Sequence, residues 1–96
     1  IDDMIDTAGT TVNAAEAAMS NGANSVTAVA THAVLSGPAI ERIKGSVIKK
    51  LIVTDTVSIP DNKKIDNMEI VTVSKVFGEA IQRIYDGESV SALFEF

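Results

Sequence analysis

Apolar and polar positions change period several times along the chain, and each change marks an element. Val12, Ala15 and Met19, with Ala18 beside them, recur at helical spacing, and Gly22 follows as a stop. This predicts a helix over about residues 9–21, its alanines (Ala14, Ala15, Ala17, Ala18) favouring helix and close packing on a sheet. Residues 25–30, SVTAVA, are β-branched and nearly apolar, as in a strand buried on both faces. Ser36-Gly37-Pro38 predicts a helix start, with Ser36 as cap and Pro38 in the first turn. Ala39, Ile40 and Ile43 supply that helix's buried stripe, and Gly45 ends it.

Residues 51–54, LIVT, predict a second buried strand, which can start as early as Val47 and Ile48. Residues 57–69 hold Pro60 and the turn Asp61-Asn62-Lys63-Lys64, a surface connection. Residues 70–73 predict a third strand. Ser74 is expected to cap a last helix, in which Phe77, Ala80, Ile81 and Ile84 form an apolar stripe before Gly87. Val90, Leu93 and Phe94 predict a packed tail over residues 88–96.

Strands alternating with helices imply βαβ units and an α/β fold: a mainly parallel sheet flanked by helices in three layers. In such sheets ligands bind beyond the carboxyl ends of strands. The opening stretch, His32 and Asp55 are all placed there. No internal repeat or low-complexity segment interrupts the pattern.

Ninety-six residues suit one small domain. Apolar residues at 46% and charged residues at 22% describe a globular chain. A net charge of −5 argues against a nucleic-acid surface, which needs a cationic field. It leaves phosphate ligands open, because backbone amides and Mg²⁺ can hold them. The chain has no cysteine, which excludes a disulfide framework and thiolate metal sites. No apolar run reaches the roughly 18 residues of a membrane span. The cytoplasm is therefore the expected location. The chain opens on Ile1, already inside a motif, with the strand that should feed it nearly missing. We expect a C-terminal piece of a longer protein, residues 1–96 forming one domain with its first strand and an upstream domain outside it.

The richest chemistry lies in the opening IDDMIDTAGTT. Asp2 and Asp3 are adjacent, Asp6 follows, and Thr7, Ala8, Gly9, Thr10 and Thr11 run into the first helix. One reading is an ordinary βα turn with a capping acid. The other is an anion site, where small residues let backbone amides meet a phosphate at the helix's positive end. Carboxylates beside it would hold sugar hydroxyls or a hydrated Mg²⁺. A phosphate with a hydroxylated sugar is a ribose 5-phosphate. His32, the only histidine, is a packing or capping residue or a cleft residue, and without partners it makes no metal site. Ser36-Gly37-Pro38 is a cap or a further anion contact, and Asp55-Thr56 a strand-end turn or a cleft border. Lys49-Lys50 and Lys63-Lys64 are expected at the solvated surface. Ser89-Val90-Ser91 is a turn or an anion site.

The wording Asp2-Asp3-Met4-Ile5-Asp6-Thr7-Ala8-Gly9-Thr10 resembles the ribose-phosphate diphosphokinase (PRPP synthetase) family, of type I phosphoribosyltransferase-like fold. The resemblance continues through Ala30-Thr31-His32, Ser36-Gly37-Pro38-Ala39, Ile52-Val53-Thr54-Asp55-Thr56 and Glu79-Ala80-Ile81 with Arg83 to Gly87-Glu88-Ser89-Val90-Ser91 with Leu93-Phe94. It implies Mg²⁺-dependent transfer of diphosphate from ATP to ribose 5-phosphate, giving PRPP and AMP. By match, Asp2, Asp3, Asp6, Thr7, Ala8, Gly9, Thr10 and Thr11 bind ribose 5-phosphate. Ser89, Val90, Ser91 and Phe94 match a regulatory element for ADP or phosphate at subunit contacts, in hexamers built from dimers. The family's ATP loop, metal-binding residues and basic catalytic loop have no counterpart among these 96 residues. No catalytic residue and no certain metal ligand is therefore expected here, and the segment alone is expected to be inactive. The alternatives are a phosphoribosyltransferase that consumes PRPP and a non-catalytic PRPP-synthetase-associated subunit.

Overall fold

The computed structural model describes residues 1–94, and of Phe94 the backbone only. Four strands, β1 (Asp2–Ile5), β2 (Val26–Ala33), β3 (Ile48–Thr54) and β4 (Met68–Val71), form one sheet in the order β1-β2-β3-β4. Every neighbouring pair is parallel. Helices α1 (Gly9–Ser20) and α2 (Ala39–Lys44) make the first two crossovers. Right-handed crossovers between successive neighbours place both helices on one face of the sheet. The third crossover holds only a 3-10 turn (Asp61–Lys63), and α3 (Ser74–Asp86) follows β4. The expected parallel α/β sheet with flanking helices is the architecture observed.

The core is built from small and branched residues. Ile5, Ala8, Ala30, Ala33, Leu35, Ala39, Ile43, Leu51 and Val53 are buried together, with Val12, Ile40, Ile59, Ile65 and Met68 packed around them. Ala28 and Ala30 face Leu51 and Val53 across the β2–β3 register, so small residues of one strand lie beside large ones of the next. Full burial of a Leu or Ile side chain stabilises by about 1.5–3 kcal/mol relative to exposure. No polar side chain is buried among the described residues.

Several boundaries differ from the sequence reading, each for a pairing reason. The feeding strand, expected to be nearly missing, is formed by Asp2–Ile5 itself, because Asp2, Met4 and Ile5 pair with Ala30, His32 and Ala33. The same pairing extends β2 to Ala33 and puts His32 inside it. β3 starts at Ile48, opposite Val26. β4 lies two residues earlier than residues 70–73, since Leu51 pairs with Met68 and the Asn67 carbonyl accepts the Leu51 N–H at 2.9 Å. α1 ends at Ser20, where the Asn21 side chain bonds the Ala17 carbonyl at 2.7 Å.

The two expected serine caps are also replaced. Pro38 occupies the N-cap of α2, and Val73 that of α3. The Ser74 N–H instead donates to Thr72 Oγ1 at 3.2 Å. The apolar stripe on α3 exists but is not covered, with Phe77 56% and Ile81 68% exposed. Val90 and Leu93 are half-buried in the tail.

Leu51→Ala removes a fully buried side chain from the sheet's central pairing. It should lower the unfolding free energy by about 2–5 kcal/mol in chemical denaturation. A loss under about 1 kcal/mol would mean that Leu51 is not central to the core.

Candidate functional site: an anion loop at the start of the first helix

Three successive carbonyls leave β1 tied to the segment that follows β2. The Ile5 carbonyl accepts the N–H groups of Val34 and Leu35, each at 3.0 Å. The Asp6 carbonyl accepts the Ser36 N–H at 2.9 Å, and the Asp6 carboxylate accepts the Ser36 hydroxyl. The Thr7 carbonyl accepts Arg42 Nη1 at 3.1 Å. Ser36 thus holds the loop rather than capping α2.

Ala8 then takes a left-handed conformation (φ 67°, ψ 7°), although it has a Cβ and is buried. For an L-residue this costs roughly 1–2 kcal/mol, which packing in the core offsets. The Ala8 carbonyl accepts the Val12 N–H at 3.0 Å and starts α1. No side chain caps this helix, and no acidic residue lies in its first turn. The amides of Thr7, Ala8, Gly9, Thr10 and Thr11 find no acceptor among the described residues. Unsatisfied N–H groups at the positive end of a helix favour an anion.

A cavity of about 190 Å³ opens in front of these amides, lined by Asp2, Met4, Asp6 and residues 7–11. Asp3 does not reach it. Successive side chains of a strand point to opposite faces, so Asp2 and Asp3 part company on β1. Asp3 acts on Asp2, first through its backbone and second through its side chain. Its N–H donates to Asp2 Oδ1 at 2.7 Å and is the main cause holding the exposed Asp2 carboxyl below its usual range. Gly9 lies close to Arg42. A Cβ there would meet Arg42 Nη1 at 3.2 Å.

His32 lies outside this cavity. Its Nδ1 is 2.8 Å from Thr56 Oγ1, which donates to the Thr31 carbonyl at 3.1 Å. This network ties the ends of β2 and β3. Asp55 is a strand-end turn residue, accepting the Val73 N–H at 2.9 Å just before α3. That bond, followed by the Thr72 hydroxyl, lowers its pKa. Among the described residues no group of three His, Cys, Asp or Glu side chains could enclose a metal ion.

In the tail, Ser89 Oγ and Ser91 Oγ are 2.7 Å apart, and Arg83 Nη1 donates to the Ser89 carbonyl at 3.1 Å. The Phe94 side chain lies outside the described residues. Sequence reasoning missed Arg42, and it marked Arg83 only as part of the family resemblance, without a role. Arg42 carries no local signal, since its partner is 35 positions away.

The family model of the phosphoribosyl synthetase-associated domain matches residues 1–95. Among curated proteins, the chain is 56% identical over 94 residues to ribose-phosphate pyrophosphokinase of Caldanaerobacter subterraneus subsp. tengcongensis, covering 98% of this chain and 30% of that protein. It is 58% identical over 95 residues to the Chlorobaculum tepidum protein of the same name, covering 99% and 29%. The chain therefore spans about three tenths of the length of these relatives. Among solved structures, phosphoribosylpyrophosphate synthetase from Mycobacterium smegmatis superposes with a TM-score of 0.87 at 32% identity, over 90% of this chain and 29% of that one.

The Val73–Asp55 hydrogen bond gives a pH prediction. A carboxyl with a lowered folded-state pKa contributes stability that is full above its unfolded pKa. That contribution is lost as pH falls through the lowered value. The Val73 amide resonance should therefore titrate with a midpoint below the ordinary carboxylate range, and Asp55→Asn should abolish the step. A midpoint at the ordinary value would contradict that bond.

Proposed function

This chain belongs to the phosphoribosyl synthetase-associated domain family, and from that premise we propose that it forms the ribose 5-phosphate half of a ribose-phosphate diphosphokinase. The supporting observation is the row of unpartnered amides at the uncapped start of α1, with Asp2 and Asp6 beside them. In this reading residues 1–96 are the C-terminal phosphoribosyltransferase-like domain of a longer chain.

The amides of residues 7–11 and the hydroxyls of Thr7 and Thr10 receive the 5-phosphate. Asp2 accepts hydrogen bonds from ribose hydroxyls, and the Asp3 N–H bonds the Asp2 carboxylate. Asp6, fixed by Ser36, closes the far side. The reaction joins the ribose 1-oxygen to the β-phosphorus of ATP and breaks that phosphorus's bond to the bridging oxygen. AMP leaves with the bond pair, and the hydroxyl proton passes to solvent. Catalysis of such an in-line transfer is mostly positioning and charge neutralisation. No Lys or Arg lines the loop cavity, so cationic groups for the diphosphate come from beyond this segment.

Exposed carboxylates fit Mg²⁺, which takes one or two of them together with substrate oxygens. Asp2 and Asp6 would hold it, and when bound it neutralises diphosphate charge. The curated relatives matched over 98–99% of the chain are ribose-phosphate pyrophosphokinases, which favours PRPP synthesis over PRPP consumption.

We assign Ser89, Val90, Ser91 and Phe94 to a regulatory contact for ADP or phosphate, in a homo-oligomer that we take to be a hexamer. The paired serine hydroxyls support the first part, and the uncovered α3 stripe supports assembly. No helix among the described residues is long and apolar enough to cross a membrane, and we place the enzyme in the cytoplasm.

In the full-length enzyme, Asp6→Ala should raise KM for ribose 5-phosphate about tenfold or more, the scale of a hydrogen bond to a charged group, and leave KM for ATP within about twofold. Equal effects on the two substrates would count against the loop. Ser91→Ala should change the response of initial rates to ADP or phosphate while leaving the unregulated rate near wild type. An unchanged response would remove Ser91 from the regulatory contact.

A further inference from the structure

The cavity-lining residues do not by themselves keep the loop amides turned outward. Arg42 takes no part in the cavity lining, yet its guanidinium reaches the loop from behind. We infer that Arg42 is a positioning residue for ribose 5-phosphate: it holds the Thr7 carbonyl away from the cavity, and this turns the Ala8 amide toward the phosphate. The inference rests on the functional reading above and adds a residue that reading does not use.

The argument is geometric. A trans peptide unit is planar, with its C=O and N–H pointing in opposite directions. The chain has no cis peptide among the described residues. Drawing the Thr7 carbonyl toward α2 therefore drives the Ala8 N–H the other way. The cavity in front of residues 7–11 contains no residue of the 34–42 segment, so that other way is the cavity. The Ile5 and Asp6 carbonyls are drawn to the same segment by backbone N–H groups, which any sequence would supply. Only the last pin, at Thr7, depends on a side chain from α2.

Arg42 can serve this end because α2 cannot slide. Ala39 and Ile43, on either side of Arg42 in the helix, are fully buried. Leu35, buried and left-handed (φ 53°), turns the chain between β2 and α2. Arg42 itself is exposed, so its replacement leaves the core intact. Gly9 completes the arrangement. A Cβ at that position would stand 3.2 Å from Nη1, a tight contact from which the guanidinium must shift by a few tenths of an ångström, loosening its hold on Thr7. The glycine after Ala8 is thus the space in which the guanidinium lies.

The test uses the full-length enzyme, with ribose 5-phosphate affinity read by calorimetry and KM for each substrate read from initial rates. Arg42→Ala should weaken ribose 5-phosphate about tenfold and leave KM for ATP within about twofold. Arg42→Lys, which keeps a long donor, should recover most of the loss. Gly9→Ala should weaken ribose 5-phosphate in the wild-type background and add little to Arg42→Ala, because both act on the same bond. Wild-type enzyme that binds no ribose 5-phosphate overturns the loop assignment and this inference with it. Wild-type enzyme that binds normally overturns this inference alone under any of three results: Arg42→Ala also binds normally, it impairs both substrates equally, or the full Gly9→Ala loss persists without Arg42.

Discussion

A peptide plane cannot turn its carbonyl and its amide to the same side, and the site depends on that constraint. Between β1 and α1, three carbonyls in a row are bound by the segment after β2, so their peptide units present N–H groups on the opposite side. α1 then begins with no cap and no acidic first turn, which leaves its first amides open as well. An anion at such an end gains typically 0.3–1 kcal/mol from the helix dipole, with the direct hydrogen bonds in addition. The rest of the fold serves this arrangement. Parallel pairing brings the end of β1 beside the end of β2, and the buried face of α2 fixes how far its side chains reach.

The cost of the arrangement is local. Ala8 and Leu35 both adopt backbone conformations that an L-residue normally avoids, and both are buried. They sit at the two turns that meet, one leading into α1 and one leading out of β2. Strain concentrated at facing turns is found where a binding surface is held in shape before its ligand arrives. The nearby His32–Thr56 bond and the Thr54 hydroxyl bond to the Thr31 carbonyl stiffen the neighbouring strand ends without entering the cavity.

Much of this was legible in the sequence because it is local. The small-residue turn before an alanine-rich helix, the β-branched strands and the glycine stops each follow from nearest neighbours, and the parallel sheet follows from their alternation. The acidic turn was legible as a candidate anion site for the same reason. What escaped depends on contacts between distant positions. That Asp2 and Asp3 lie on opposite faces follows from their place in a strand, which the sequence reading had taken to be nearly missing. Ser36 read as a helix cap because Asp6, thirty positions earlier, is not a neighbour in sequence. Arg42 drew no reading at all, since its partner lies 35 positions away. The α3 stripe was read correctly as amphipathic, but periodicity says which face is apolar and not what covers it.

The central claim is that the amides of residues 7–11 receive a phosphorylated pentose. Titrating ribose 5-phosphate into the isotope-labelled full-length enzyme, and following backbone amide resonances, tests it most directly. The account predicts the largest shifts at Ala8, Gly9, Thr10 and Thr11, saturating together and reproduced in part by inorganic phosphate. Saturable shifts confined to other parts of the molecule, with these amides unmoved, would contradict it.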